Sequence, residues 1–224
     1  MGNQNWYRRT TWSQEDQDDF FKRLKRCRLA NSKAQSLRIQ ALYLENTNEP
    51  ELVKPALALL ELMIKDYPEP TDLAQTYLQK ARCHLRLNQV DAAVASYRLA
   101  IETEKQYPQF RTEASFQYCW LVVRQQMEAH YSEVLNILEH HVDVLLVPSH
   151  EFIYHAVLAL INYDKGNNLT AKGSAEKALA AAEKTSSGLR YHKNIGLVGK
   201  QDDALMLRLT EIAAVNKGVK TDWR

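Results

Sequence analysis

The chain has 224 residues, enough to bury a sizeable core or a short stack of repeated units without disulfides. Seven glycines and six prolines are spread through a sequence dominated by strong helix formers, and period-2 runs of Val, Ile and Thr are nearly absent, so no sheet is expected and the chain reads as all-α. A formal charge of +2 is too small to announce a nucleic-acid or membrane protein, and three scattered cysteines, Cys27, Cys83 and Cys119, offer no disulfide framework and no CxxC metal knuckle. Each cysteine reads as a small apolar residue on a buried helix face.

No apolar run approaches the ~18 residues needed to cross a bilayer, and no apolar leader opens the chain. The start MGNQNW also lacks the hydroxyl residue that a myristoylation signal places sixth. The expectation is a cytoplasmic protein with no membrane contact.

Residues 1–31 read as an N-terminal arm and a capping helix. Ser13 is a natural N-cap, Asp16 stands where a capping box places its acid, and Glu15, Asp16, Asp18 and Asp19 fall in the turns favoured by the positive end of the helix dipole. On a helical wheel Phe20, Phe21, Leu24 and Cys27 share one side, while Lys22, Arg23, Lys25 and Arg26 fall on the other. Residues 1–38 carry a balance of +5 against −3 for the remainder, which suggests either an acidic partner near the N-terminus or internal pairing. Trp6, Tyr7, Arg8 and Arg9 therefore admit three readings. They cover the first helices as a cap, they dock a protein through residue types common in binding hot spots, or they meet phosphate in single-stranded nucleic acid.

Residues 32–68 read as helix, turn, helix, with Ala41 as a close-packing residue and Ala56, Leu60 and Met63 along one face of the second helix. Residues 71–108 repeat the pattern more clearly. One amphipathic helix breaks at LNQVD, and the next carries Ala93, Tyr97 and Ala100 at i, i+4 and i+7. This unit resembles the tetratricopeptide repeat: Tyr77 stands at the family's large aromatic position, Ala81 at its small crossing residue, and Ala93, Tyr97 and Ala100 at the three marks of its second helix. Pro108 closes the unit about three residues late, which implies an extended second helix. Looser copies follow at 109–147, with Val134 and Leu138 in the equivalent places, and at 149–184. In the latter Ala159 lies in the first helix, Asp164 to Asn167 make the turn, and Ala171, Ala175 and Ala178 mark the second helix. Ala56, Ala93, Val134 and Ala171 are spaced by 37, 41 and 37 residues, longer than the family's usual ~34.

The resemblance implies a right-handed α-solenoid of about four irregular helix pairs, because one pair cannot bury its apolar face alone and stacking makes a continuous core whose ends need caps. The rear cap is expected at 201–216, where Asp202 and Asp203 favour the helix start and Leu205, Leu209 and Ile212 face inward. A loop at 185–200 precedes it and a tail at 217–224 follows. The loop groups Arg190, Tyr191, His192 and Lys193, and reads either as a connector or as a binding loop.

Chemistry is scarce. Adjacent His140 and His141 diverge on a helix, His150 and His155 are five apart, and His84, His130 and His192 stand alone, so no metal site is expected. GLVGKQ (196–201) fails the phosphate-loop spacing, with Asn194 and Gln201 in place of the first Gly and the hydroxyl. Neither cofactor nor catalytic constellation is expected. The resemblance implies instead a concave groove lined by first helices, with Arg38, Gln75, Arg82, Arg86, Trp120, Gln126 and Tyr163 as candidate contacts. Arg82 and Arg86, one turn apart, suit a carboxylate or an acidic segment. Leu42 occupies the place of the asparagine used by the chaperone-binding subfamily, so that ligand is not expected. The functional expectation is a non-enzymatic adaptor or assembly factor that binds a protein partner. An alternative is an immunity protein that neutralises an acidic or hydrophobic toxin or effector domain, and a third is a nucleic-acid binder through the basic first helix.

Overall fold

The computed structural model describes residues 4–140 and 147–215. His141, the last position of the 201–216 cap and the 217–224 tail lie outside the described residues. Among those described there is no strand; the chain is all-α, with ten α-helices and two short 3-10 turns. It divides into two compact units, Met1–Ala114 and Ser115–Arg224.

In the first unit a 3-10 turn (Gln4–Tyr7) leads to α1 (Gln14–Arg26), α2 (Ala30–Glu45), α3 (Pro50–Asp66), α4 (Pro70–Arg86) and α5 (Val90–Gln106). The helix starts follow local chemistry. The Ser13 hydroxyl accepts the Asp16 amide at 3.2 Å while the Asp16 carboxylate accepts the Ser13 amide at 3.0 Å, a complete capping box. Pro50 and Pro70 occupy first helical positions, where no intrahelical N–H partner exists to be lost. Successive helices pack as neighbours, α2 on α3, α3 on α4 and α4 on α5. Phe20 and Leu24 of α1 join Leu37, Ala41 and Leu44 of α2 and Ala56, Leu60 and Met63 of α3 in one apolar cluster. Ala41, Ala56, Ala81, Ala93 and Ala100 are completely buried, the small side chains that allow helices to cross closely. Tyr97, on the same helix as Ala93 and Ala100, is buried too, which pushes its phenol up to about 12.

Helices α2 and α4 run in the same direction, since the partners across them advance together: Arg38 with Asp72, Glu45 with Arg82, Asn48 with Arg86.

In the second unit α6 begins at the division (Ala114–Arg124), and a 3-10 turn (Glu128–His130) leads directly into α7 (Tyr131–Glu139). Then come α8 (Pro148–Asp164), α9 (Asn168–Ala182) and α10 (Asp203–Ala214). Ala156 and Ala159 of α8 and Ala171, Ala175, Ala178 and Ala181 of α9 are all buried, so these two helices form a hairpin of small residues. α10 packs on both. Asp202 caps it through the Ala204 amide at 3.0 Å, Leu209 and Ile212 are buried, and Leu205 is half-buried.

One local device recurs. α2, α4, α6 and α8 are each followed by a residue in the left-handed region: Asn48 (φ 62°), Asn88 (φ 56°), Gln126 (φ 51°) and Gly166 (φ 77°). After α4, α6 and α8 the next amide reaches back five residues, Gln89 to the carbonyl of His84 (2.9 Å), Met127 to Val122 (2.9 Å) and Asn167 to Asn162 (2.8 Å). These bonds satisfy carbonyls that the helix end leaves open, the Schellman arrangement.

Candidate functional site

The α4 arginines meet carboxylates of their own chain. Glu45 ends α2 with its side chain 2 % exposed, and Arg82 reaches it through Nε at 3.0 Å and through Nη2 at 3.4 Å. Arg86 Nε lies 3.8 Å from the same carboxylate, and Arg86 Nη1 donates to Asn48 Oδ1 at 2.7 Å. At the other end of the seam Arg38 Nε donates to Asp72 Oδ1 at 2.6 Å. The carboxylate suited to the paired guanidiniums is thus already present, on the neighbouring helix. Gln75 is half-buried on α4. One turn further along the helix, Gln79 is fully buried, and neither its Oε1 nor its Nε2 has a hydrogen-bond partner among the described residues.

The N-terminal aromatics pack inward. Trp6 and Trp12 flank Phe20 with ring centroids at 5.2 and 5.3 Å, and Tyr7 stands edge-on to Trp6 at 5.2 Å. Gln40 of α2, fully buried, clamps the arm by its backbone: its Oε1 accepts the Arg9 amide at 3.0 Å and its Nε2 donates to the Arg9 carbonyl at 2.8 Å. The Arg9 guanidinium pairs with Asp16 at 2.5 Å and also with Asp19. Burial pushes Asp16 up, but hydrogen bonds from Thr11, Ser13 and Arg9 outweigh it and hold the carboxyl at about 2. The Arg23 hydrogen bond, with its charge, holds Asp19 below the usual carboxylate range. Of Trp6, Tyr7, Arg8 and Arg9, only Arg8 is exposed, with its guanidinium 5.6 Å from the Tyr7 ring centroid.

A further group of cations lies on and beside α1. Lys22, Lys25 and Arg26 on α1 and Arg28 at the α1–α2 corner are exposed, and among the described residues none forms an ion pair or side-chain hydrogen bond. Leu29, at the end of this strip, is 68 % exposed. No acid falls between Phe20 and Leu44.

In the second unit Trp120 is half-buried against Phe152, with centroids at 5.6 Å. Gln126 is not on the first helix of its pair, because α6 ends at Arg124; it is the exposed left-handed residue of the turn. Tyr163 lies near the end of α8 and is 39 % exposed. Arg190, Tyr191, His192 and Lys193 are all exposed on the segment before α10. The groove candidates thus fall in both units, and the structure ties together only those of α2 and α4.

Burial pushes the thiols of Cys83 and Cys119 up to about 12, away from the thiolate that nucleophilic or metal chemistry needs. His150 stacks on Phe116 at 4.5 Å, His140 Nδ1 lies 2.8 Å from the Asn136 carbonyl, and burial lowers His155. No group of three or more His, Cys, Asp or Glu suited to a metal ion occurs among the described residues. Gly196 (φ 69°) packs so closely on Val147 that an added Cβ would lie 2.5 Å from that side chain, which assigns GLVGKQ to a close approach of chain segments. Among the described residues no helix is long and apolar enough to cross a membrane. No family model matches the chain, nor does any curated protein or solved structure.

Proposed function

We propose that the chain is a non-enzymatic, tetratricopeptide-like α-solenoid of four irregular helix pairs, α2/α3 to α8/α9, with α1 and α10 as caps, and that it binds an acidic protein partner as an adaptor or assembly factor. The repeat reading is supported by the left-handed residues that follow α2, α4, α6 and α8 at positions 48, 88, 126 and 166, spaced by 40, 38 and 40. It is supported also by the buried small residues at equivalent places, Ala56, Ala93, Val134 (fully buried) and Ala171.

The binding reading rests on one observation. Arg38, Arg82 and Arg86 are neutralised by Asp72 and Glu45, whereas Lys22, Lys25, Arg26 and Arg28 are exposed on the outer side of α1 and its corner and form no ion pair among the described residues. A strip of free cations ending in an exposed leucine attracts an anionic surface and offers it an apolar contact. The experiment is co-purification of the tagged chain from its own cells at moderate salt, side by side with the K22E/K25E/R26E variant. The expected result is one or a few partners with acidic surfaces, lost in the variant and weakened by salt. A single stoichiometric toxin-like domain would narrow the role to neutralisation. Equal capture by the variant would remove α1 from the interface, and recovery of nucleic acid alone would replace the protein-binding reading.

A further inference from the structure

The segment 185–200 is a folded loop rather than a slack connector. Ser187 ties its two sides: the Ser187 amide donates to the Lys193 carbonyl at 2.8 Å, its hydroxyl donates to the His192 carbonyl at 2.7 Å, and its Oγ accepts the Leu189 amide at 3.2 Å. Inside this ring the His192 amide donates to the Leu189 carbonyl at 3.2 Å, closing a tight turn. Arg190 and Tyr191 are the two corner residues of that turn, with the Arg190 guanidinium 5.3 Å from the Tyr191 ring centroid. Gly188 (φ 77°) admits the chain to the turn. At the far end the Gly196 carbonyl accepts the Ser149 amide at 2.8 Å, which fastens the loop to the start of α8.

This braced turn spends its order on display. Tyr191 is 79 % exposed, Ile195 56 % and Leu189 39 %, the densest group of exposed large apolar side chains among the described residues. Arg190, His192 and Lys193 are exposed between them, and no acid occurs from Lys184 to Gln201. We infer that this turn is a second docking point, built to enter an acidic, apolar-floored depression on a folded protein partner. Tyrosine and arginine at the tip are the residue types that dominate binding hot spots, with the cations as a complementary rim. The bracing by Ser187 lowers the ordering cost of binding. A lipid surface fits less well, because the cations alternate with the apolar side chains along the turn, so burying Leu189, Tyr191 and Ile195 among acyl chains would carry Arg190 and Lys193 in with them.

The inference rests on the protein-binding reading above but uses a different unit, so the two can fail separately. The test places p-benzoylphenylalanine at position 191 of the full chain in its own cells, with position 169 as control, since Leu169 is 69 % exposed elsewhere in the same unit. Irradiation is expected to give one discrete protein adduct from position 191, with the crosslinked peptide rich in Asp or Glu, and none from position 169. Adding R190E/K193E should lower the yield about tenfold or more while the helical circular-dichroism signal is unchanged. Absence of a discrete adduct, equal yield from position 169, or indifference to the charge reversal would each overturn the inference. Sedimentation with phosphatidylserine–phosphatidylcholine vesicles that is lost in the same variant would overturn it in favour of a membrane. If α1-dependent capture persists while position 191 stays silent, this inference alone has failed; silence at both surfaces removes the protein-binding reading itself.

Discussion

Two sets of cations in the first unit have opposite fates. On α4, Arg82 and Arg86 share the buried carboxylate of Glu45, and Arg38 of α2 is held by Asp72 of α4. On α1, Lys22, Lys25 and Arg26 are exposed and form no ion pair among the described residues, although the Lys22 charge helps to lower Asp19. The difference shows why residue type and helical spacing are poor guides to a binding face. A pair of arginines one turn apart is as well suited to lock two parallel helices as to seize a ligand, and which task it performs depends on whether a neighbouring helix already supplies the anion. The exposed set is the better candidate for a partner because no carboxylate among the described residues forms an ion pair with it.

The sharpest way to break this comparison is to reverse the α4 pair. R82E/R86E would set two new carboxylates beside Glu45, whose side chain is 2 % exposed, and about 3–5 kcal/mol of stability is expected to be lost. Chemical denaturation followed by circular dichroism measures it. A loss below about 1 kcal/mol, the scale of an exposed ion pair, would mean that the seam is ornamental.

A smaller effect is expected at the front of the unit. Trp6 and Trp12 are half-buried around Phe20, so W6A/W12A should cost about 2–4 kcal/mol together, less than fully buried aromatics would. Unchanged stability would release these tryptophans from the cap and return them to the list of docking residues.

Gln79 sharpens the comparison from the opposite side. Its buried amide lacks a hydrogen-bond partner among the described residues, so Gln79→Met, similar in shape and apolar, should stabilise the chain by about 1–2 kcal/mol. A destabilised variant would show that the amide is engaged by a group that matters to the fold.

The acid limb tests the Arg9 tie. Asp16 titrates at about 2 in the folded chain, below its ordinary unfolded value of about 3.9. Its contribution is therefore fully present above the unfolded value and is lost as pH falls towards the folded one. Between about pH 4 and 2, D16N should show a shallower loss of stability than the unmodified chain. Identical acid profiles would contradict the assignment.

Local features were the legible part. The Ser13–Asp16 box spans three residues, and Ala93, Tyr97 and Ala100 lie on one helix face by spacing alone, so both follow from the chain itself. All-α architecture follows from composition in the same way. The ion-paired seam was hidden because Glu45 and Arg82 are 37 positions apart and Arg38 and Asp72 34 apart, on different helices. No helical spacing joins such residues; only the similarity of those offsets to the repeat length could have suggested that they meet. Gln126 was misplaced onto a helix for a related reason, since the left-handed residue that ends α6 is not the glycine or asparagine expected there. The bracing of the 185–200 loop by Ser187 depends on backbone turns that residue identity does not dictate.

The most direct measurement compares two variants by thermal unfolding, R82E/R86E against K22E/K25E/R26E. The first should melt well below the unmodified chain, by about 10–20 °C, and the second by no more than about 5 °C, the cost of placing acids in the last turn of α1. If the α1 reversal melts as low as the α4 reversal, or if the α4 reversal leaves the midpoint unchanged, the division between structural arginines and free docking cations is wrong.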